Sequence, residues 1–529
     1  MKTAKKTSSV SGDIPAVLYD KFPRQLAGIA TRIFNQISQD MQWPRAWATE
    51  FVTVFPKNSH SSTPGECRNI SCTNFLSKLY ESFILQRARD EVTPKSKQFG
   101  GEPGCGKEHF LVKAMDKITE ALEDNRAAVE LTSVDFSKAF NRLGHGSCLE
   151  LFAKKGALTE IIKLLTGFMC GRQMTVKIGK ERSALRPVNA GAPQGSVPWC
   201  YLFNVGVDNI EEGCRYSGIR PEEPETLSAS NDFPAVSTPK RVTGSSQIPC
   251  LSPIPERDDT IQIEFLPRPM NVPPWLLKPK DPRWRPADPE LLKYVDDSLH
   301  ISVVNMREER LVFKNGCLQK ITCVPESQAM LQHITRRAEE CGMKVNDGKT
   351  GLMCVSAFKA TAQLRGWDCE LESTDSMKFL GVTLDSDCSF RTHSRNVTMN
   401  IRRKSWALSR LKRKGMSEEY LKQVPLVRPS AEYTTVAWHS LLTKEQSHQI
   451  ERQKTQAMKN ILGIGLSAEK MRGTLSLETL SDMREKSVLR FATNCSKNPR
   501  FATWFPLREG RVKNLRESFG HRKIKESRY

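Results

Sequence analysis

Fifteen of the thirty prolines in this chain fall between residues 221 and 290. Proline fixes φ and removes a backbone donor, so no regular helix or inner strand can run through most of that stretch. A structureless stretch of such length inside a domain is an insertion or a disordered loop. Residues 213–285 are therefore predicted to be an insertion, and the fold must be assembled from sequence on either side of it.

Just beyond it stands Tyr294-Val295-Asp296-Asp297, two adjacent carboxylates in an apolar run, with Leu291 and Leu292 before and Leu299 and Ile301 after. Burying such a pair is costly unless something cationic neutralises it. Mg²⁺, bound by one or two carboxylates plus substrate phosphates, is the natural candidate. A surface hairpin with two acids at its tip is the plain alternative. A third acid, Asp135, stands where the strand predicted over Val129–Val134 ends. Together the three would serve two metal ions, the arrangement that clamps both oxygens of an in-line displacement.

The charge balance narrows the partners. The chain has 529 residues with 80 Lys and Arg against 59 Asp and Glu, a net charge of +21, which favours polyanions. Basic residues cluster at Arg402-Arg403-Lys404, at Lys412-Arg413-Lys414, and from Arg508 to Arg528, a pattern suited to phosphate. No apolar run approaches the roughly 18–20 residues that span a bilayer, and no apolar segment follows Met1–Lys6 as a secretory signal would require. No membrane partner is expected. The fifteen cysteines include no Cys-x-x-Cys, so they read as reduced thiols of an intracellular protein.

Periodicity predicts helices over Ser77–Arg89, Phe110–Asn125, Cys148–Phe168 and Ser327–Cys341, and a mainly helical, basic region from Thr398 to about Ser496. In the first helix Leu79, Phe83, Ile84 and the stem of Arg87 share the expected apolar stripe. Strands are predicted at Phe51–Phe55, ended by Pro56, and at Phe379–Leu384. Met174–Ile178 is expected to form a hairpin with Leu185–Val188. Gly101–Lys107 imitates a phosphate loop, but Glu108 stands where Ser or Thr would hold Mg²⁺ and no apolar strand precedes it.

In order along the chain, these segments resemble the reverse transcriptases of non-LTR (LINE-like) retrotransposons. Ser133–Phe140 is similar to the first catalytic block and Tyr294–Asp297 to the two-aspartate hairpin. Gly191–Ser196 is similar to the Pro-Gln-Gly block, followed by Leu202-Phe203-Asn204. Gly342–Asn346 with Lys349-Thr350 matches the fourth block, and Lys378–Val382 the primer grip. Lys57, Arg68 and Ser77–Glu81 match the fingers. Val427-Arg428-Pro429, Glu432-Tyr433, Trp438, Ile450-Glu451-Arg452 and Gln456 look like the thumb.

The resemblance implies an α+β right-hand polymerase with a palm of antiparallel sheet plus helices. Residues 1–40 would be an N-terminal extension, 41–130 fingers, 131–212 the first part of the palm and 286–395 its second part with the primer grip. An α-helical thumb would occupy 396–496 and a basic tail 497–529. The implied activity is RNA-directed DNA synthesis, extending a primer 3′-hydroxyl with dNTPs over two Mg²⁺ ions, with Mn²⁺ as the alternative. Asp135, Asp296 and Asp297 would hold the metals, and Lys349 would donate a proton to pyrophosphate. Lys57 and Arg68 would clamp the triphosphate. Phe140 would exclude a 2′-hydroxyl, while Gln194 and Gly195 would turn near the templating base. Phe136 and Tyr294 would complete the substrate pocket. Gly381, Arg402, Arg403, Arg410, Lys412 and Arg413 would grip nucleic acid. The partners would be an RNA template, a DNA primer or target DNA, and dNTPs, met in the nucleus or cytoplasm as a ribonucleoprotein.

The chain departs from the pattern at Asn69, Asn141, Gly144, Pro198-Trp199-Cys200 and Asp208-Asn209. No endonuclease, ribonuclease H or zinc knuckle is recognisable beside the polymerase blocks. A fragment, a domesticated copy, or a polymerase that borrows nicking elsewhere is expected. Two alternatives stay open: a viral RNA-dependent RNA polymerase, against which the Pro-Gln-Gly block and Phe140 argue, and an inactive RNA-binding relic.

Overall fold

The computed structural model describes residues 14–504 except 57–62, 64–66, 95–96, 123–126, 192, 209, 211–288, 306–309, 315–316, 323–324, 357–360, 366–369, 424–427 and 464. The insertion expected at 213–285, Lys57, and 505–529 of the basic tail lie outside the described residues. The chain divides into two units. The first draws on Met1–Pro94, Lys138–Val272 and Arg336–Lys344, the second on Lys95–Ser137, Pro273–Thr335 and Val345–Tyr529.

Helices and sheets are mixed in both units. Among the described residues the strands are, in chain order, β1 (Thr49–Pro56), β2 (Cys67–Cys72), β3 (Ala127–Val134), β4 (Gln173–Ile178), β5 (Glu181–Arg182), β6 (Arg186–Pro187), β7 (Glu290–Tyr294), β8 (Asp297–Asn305), β9 (Arg310–Lys314), β10 (Cys317–Thr322), β11 (Gly351–Val355), β12 (Thr361–Arg365), β13 (Glu370–Glu372), β14 (Ser376–Phe379) and β15 (Val382–Asp385).

In the first unit β1 pairs antiparallel with β2 and parallel with β4, which folds back on β5 and β6 as the predicted hairpin requires. Glu50 of β1 lies buried and accepts from Arg172 Nε at 2.8 Å. The helix Phe75–Glu91 starts at Asn74, whose side chain accepts from the Leu76 and Ser77 amides, a regular N-cap. Its buried face carries Leu76, Tyr80, Ile84 and Ala88; of the expected stripe only Ile84 is buried, and Phe83 is 48% exposed. Tyr80 decides this. Its ring packs against Phe34 and Trp43, with centroids 5.0 and 5.3 Å away, so the helix is rotated to bury Tyr80 and not Leu79. The helix predicted over Cys148–Phe168 is two, His145–Lys154 and Thr159–Met169, parted at Gly156 with φ 83°.

The second unit is built on an antiparallel sheet of order β11-β3-β8-β7. Period-two alternation sorts its side chains. Val129 and Leu131 of β3, Leu299 and Ile301 of β8, and Met353 and Val355 of β11 meet Phe110, Leu111, Ala114 and Ile118 of the helix Lys107–Ala121 in one core. The alternate positions Glu130, Thr132, Ser298, His300 and Ser302 are buried polar groups, and burial drives the His300 pKa down to about 4. The same core extends to Val397 and Ile401 of the helix Arg391–Arg413, to Trp438, and to Ile450 of the helix Lys444–Leu462.

The single strand predicted at Phe379–Leu384 is a hairpin, with Phe379 of β14 opposite Val382 of β15. Leu380 and Gly381 form its turn at φ 42° and 89°. Positive φ at both central residues is what a two-residue hairpin turn of matching twist requires. Glycine supplies it freely and leucine only under strain.

Candidate active site

The register of β3 on β8 brings the acids together. Val134 pairs with Ser298, so the next residue, Asp135, emerges beside Asp297 at the start of β8. Tyr294 pairs with Asp297 across the β7–β8 hairpin, leaving Val295 and Asp296 as its turn. Val295 has φ 59°, a genuine outlier for a β-branched residue.

A short segment outside the hairpin holds that turn. Phe99 N donates to Lys293 O (2.9 Å), and Lys293 N to Lys97 O (3.0 Å). The fully buried Gln98 accepts through Oε1 from the amides of Gly100 (3.1 Å) and Val295 (3.0 Å). Gly100 presses on the turn so closely that a Cβ there would lie 2.5 Å from Val295 Cγ2 and 2.7 Å from Val295 N. Arg500 Nη2 donates to Gln98 O at 2.7 Å. Sequence reasoning missed this role of Gln98 and Gly100.

Asp135 is fixed from the other side. Its carbonyl accepts from Asn346 N at 2.8 Å, and the buried Phe136 bridges to Val345. Lys349 Nζ lies 3.7 Å from Asp135 Oδ2, near enough for charge and too far for a hydrogen bond. That oxygen is buried without a hydrogen-bond partner. Burial, then the charges of Asp296 and Asp135, push the Asp297 pKa up to about 6, against the pull of Lys107. Asp296 is raised as well, chiefly by burial and then by Asp135.

Among the described residues no three His, Cys, Asp or Glu side chains converge tightly enough to hold a metal ion as placed. The donor chemistry of the acids nevertheless fits a divalent cation. They offer hard oxygens, the pKa values of Asp296 and Asp297 are raised in part by neighbouring carboxylates, and one Asp135 oxygen is an orphan acceptor. A cation between them would be bound by the first and would relieve the other two.

Asp135, Phe136, Tyr294, Asp296, Asp297 and Lys349 thus share one end of the β11-β3-β8-β7 sheet. Gly381 belongs to the same unit, in the β14–β15 turn. Arg68, Phe140, Gln194 and Gly195 belong to the other unit. There Arg68 is exposed on β2, and Phe140 stacks on Phe203 at 4.8 Å. The Pro-Gln-Gly turn is pinned to β2 by Ser71 N donating to Gln194 O (2.9 Å). Gly195, at φ 126°, allows the close approach, since a Cβ there would come within 3.0 Å of Ser71 O. The buried Glu81 accepts from Val197 N at 2.9 Å, which explains the acid in the Ser77–Glu81 block.

On the helix Arg391–Arg413, Arg402, Arg403, Arg410 and Arg413 are exposed. Arg410 lies over the ring of Trp406, itself 58% exposed. Lys412 differs: its ammonium is tied to Glu418 at 3.2 Å and to the Ile461 carbonyl.

Residues 55–219 match the family described as reverse transcriptase (RNA-dependent DNA polymerase). The chain is 21% identical over 488 residues to a probable RNA-directed DNA polymerase from transposon BS of Drosophila melanogaster, covering 87% of this chain and 43% of that protein. It is 24% identical over 230 residues to the RNA-directed DNA polymerase from mobile element jockey of the same fly, covering 42% and 25%. Against the jockey polymerase of Drosophila funebris the figures are 30% over 198 residues, covering 36% and 21%. The resemblance to reverse transcriptases of non-LTR retrotransposons is borne out. The chain spans less than half the length of these curated relatives. A solved telomerase from Candida tropicalis aligns at a TM-score of 0.34 and 11% identity, over 68% of this chain and 59% of that one, too distant a likeness to bear on the fold.

Proposed function

We propose that the chain is an RNA-directed DNA polymerase. The observation that carries this reading is the register placing Asp135 beside the Asp296–Asp297 turn, where the three acids repel one another. Asp135, Asp296 and Asp297 would hold two divalent cations, Mg²⁺ or Mn²⁺. When bound, these would lower the pKa of the primer 3′-hydroxyl and neutralise charge gathering on pyrophosphate. The 3′-oxygen forms a bond to the α-phosphorus of a dNTP as the bond to the bridging oxygen breaks and pyrophosphate leaves.

The remaining roles belong to the chain's own side chains. Lys349, on the Asp135 side of the site, is suited to give the departing pyrophosphate a proton. Phe136 and the half-buried Tyr294 wall the pocket beside the acids. Arg68 and Lys57 hold the triphosphate, Phe140 selects against a 2′-hydroxyl, and Gln194 and Gly195 face the template. Gly381 lets the primer approach closely. Arg402, Arg403, Arg410 and Arg413 grip the duplex backbone, as their exposure permits, while the engaged Lys412 braces the helix beneath them. The partners are an RNA template, a DNA primer or target, and dNTPs, in the nucleus or cytoplasm. No helix among the described residues is long and apolar enough to cross a membrane.

Primer extension on an RNA template tests this reading. Mg²⁺-dependent incorporation of dNTPs in preference to NTPs is expected, and Asp296→Ala should abolish it without weakening RNA binding. Preference for NTPs would make the protein an RNA polymerase. Absent extension with intact RNA binding would make it a relic.

A further inference from the structure

Lys107 opens the helix Lys107–Ala121 from within the motif that imitates a phosphate loop. A cation in the first turn of a helix opposes the helix dipole, so helix stability does not account for it. Its ammonium donates to the hydroxyl of Tyr433 at 3.0 Å, and Tyr433 donates in turn to the Leu380 carbonyl at 2.8 Å. That carbonyl belongs to the β14–β15 turn. The Tyr433 ring packs against the same turn: a Cβ on Gly381 would fall 2.8 Å from Tyr433 Cε1 and 3.1 Å from its hydroxyl. The ring is 39% exposed. Asp297 and Tyr294 are close enough to act on the Lys107 charge.

Tyr433 therefore ties Lys107 to the β14–β15 turn, within electrostatic reach of Tyr294 and Asp297. An ammonium carries three donors. The hydrogen bond to Tyr433 uses one of them, and among the described residues no carboxylate forms an ion pair with the ammonium. A half-buried cation held at this corner matches an anionic phosphodiester. We infer that Lys107, aimed by Tyr433, binds the phosphodiester at the 3′ end of the primer and seats the terminal nucleotide beside the β14–β15 turn. This rests on the polymerase reading above. It gives a use to a lysine that the failed phosphate-loop motif left without one.

Equilibrium binding of an RNA template–DNA primer duplex to the full chain, with divalent metal chelated, tests the site apart from catalysis. Wild type should lose affinity about tenfold when one of the two 3′-terminal primer linkages is made a neutral methylphosphonate. Lys107→Met should lose about as much on the unmodified primer and nothing further on the modified one. Its salt slope should fall by about one, as loss of one phosphate contact requires. Lys107→Arg should restore most of the affinity, and Tyr433→Phe should weaken it less than Lys107→Met. Equal methylphosphonate penalties in wild type and Lys107→Met would overturn the inference. So would a Lys107→Met chain that binds primer normally and is impaired only in KM for dNTP. A wild type that binds as described and does not extend would overturn the polymerase reading instead.

Discussion

Asp297 shows what the fold asks of single residues. Its carboxyl is pushed up to about 6 by burial and by its acidic neighbours, whereas an unfolded aspartate titrates near 3.9. Between those values the folded chain binds a proton that the unfolded chain does not. The group's contribution to stability is therefore full below about pH 4 and lost as the pH rises through 6. In chelated protein the melting temperature should fall from pH 5 to pH 7. Asp297→Asn should flatten that step and raise the melting temperature at pH 7.5. Mg²⁺ should stabilise wild type at pH 7.5 and the variant far less; identical pH slopes in the two proteins would show that the acids are not coupled. The acids were legible in the sequence because carboxylates inside apolar runs are conspicuous. Gln98 and Lys107 were not, because their partners Val295 and Tyr433 lie 197 and 326 residues away.

At the scale of elements, the catalytic hairpin depends on a segment it is not part of. Val295 sits in a conformation that costs about 1–3 kcal/mol, and Lys97–Gly100 supplies the hydrogen bonds that hold it there. Gly100→Ala would place a methyl against the Val295 backbone, which cannot swing aside. We expect at least a ~10-fold fall in extension rate against a stability loss of only about 1–3 kcal/mol, typical of overpacking. Comparing single-turnover rates with denaturant midpoints separates the two; a rate loss explained by the unfolded fraction alone would refute an aiming role. Element type was largely readable from periodicity, and boundaries were not. Phe379–Leu384 looked like one strand because its residues are apolar on both sides of a turn made by only Leu380 and Gly381. The helix Phe75–Glu91 was found but rotated, since Leu79 and Phe83 are more apolar than Tyr80 and only the aromatic neighbours of Tyr80 bury it in their place.

Across the whole molecule each unit is assembled from three stretches of chain. The boundary between Ser137 and Lys138 falls inside the block Ser133–Phe140, which is why a reading in chain order could not draw these units. The predicted insertion lies outside the described residues, and the hairpin strands resume only at Glu290. Deleting 221–285 should leave the melting temperature and primer extension close to those of the intact chain; loss of soluble folded protein would show that the segment is structural.

The antiparallel pairing of β3 with β8 also sets a clock. β3 ends at Val134, and its partner begins only at Asp297. At about 5–20 residues per second of synthesis, roughly ten to thirty seconds pass before the second strand exists. Throughout that interval a strand with one apolar face stands with both edges unpaired, a template for wrong partners. The separation that parts Asp135 from its two partner acids along the chain thus makes the nascent chain dependent on whatever shields β3 while it waits.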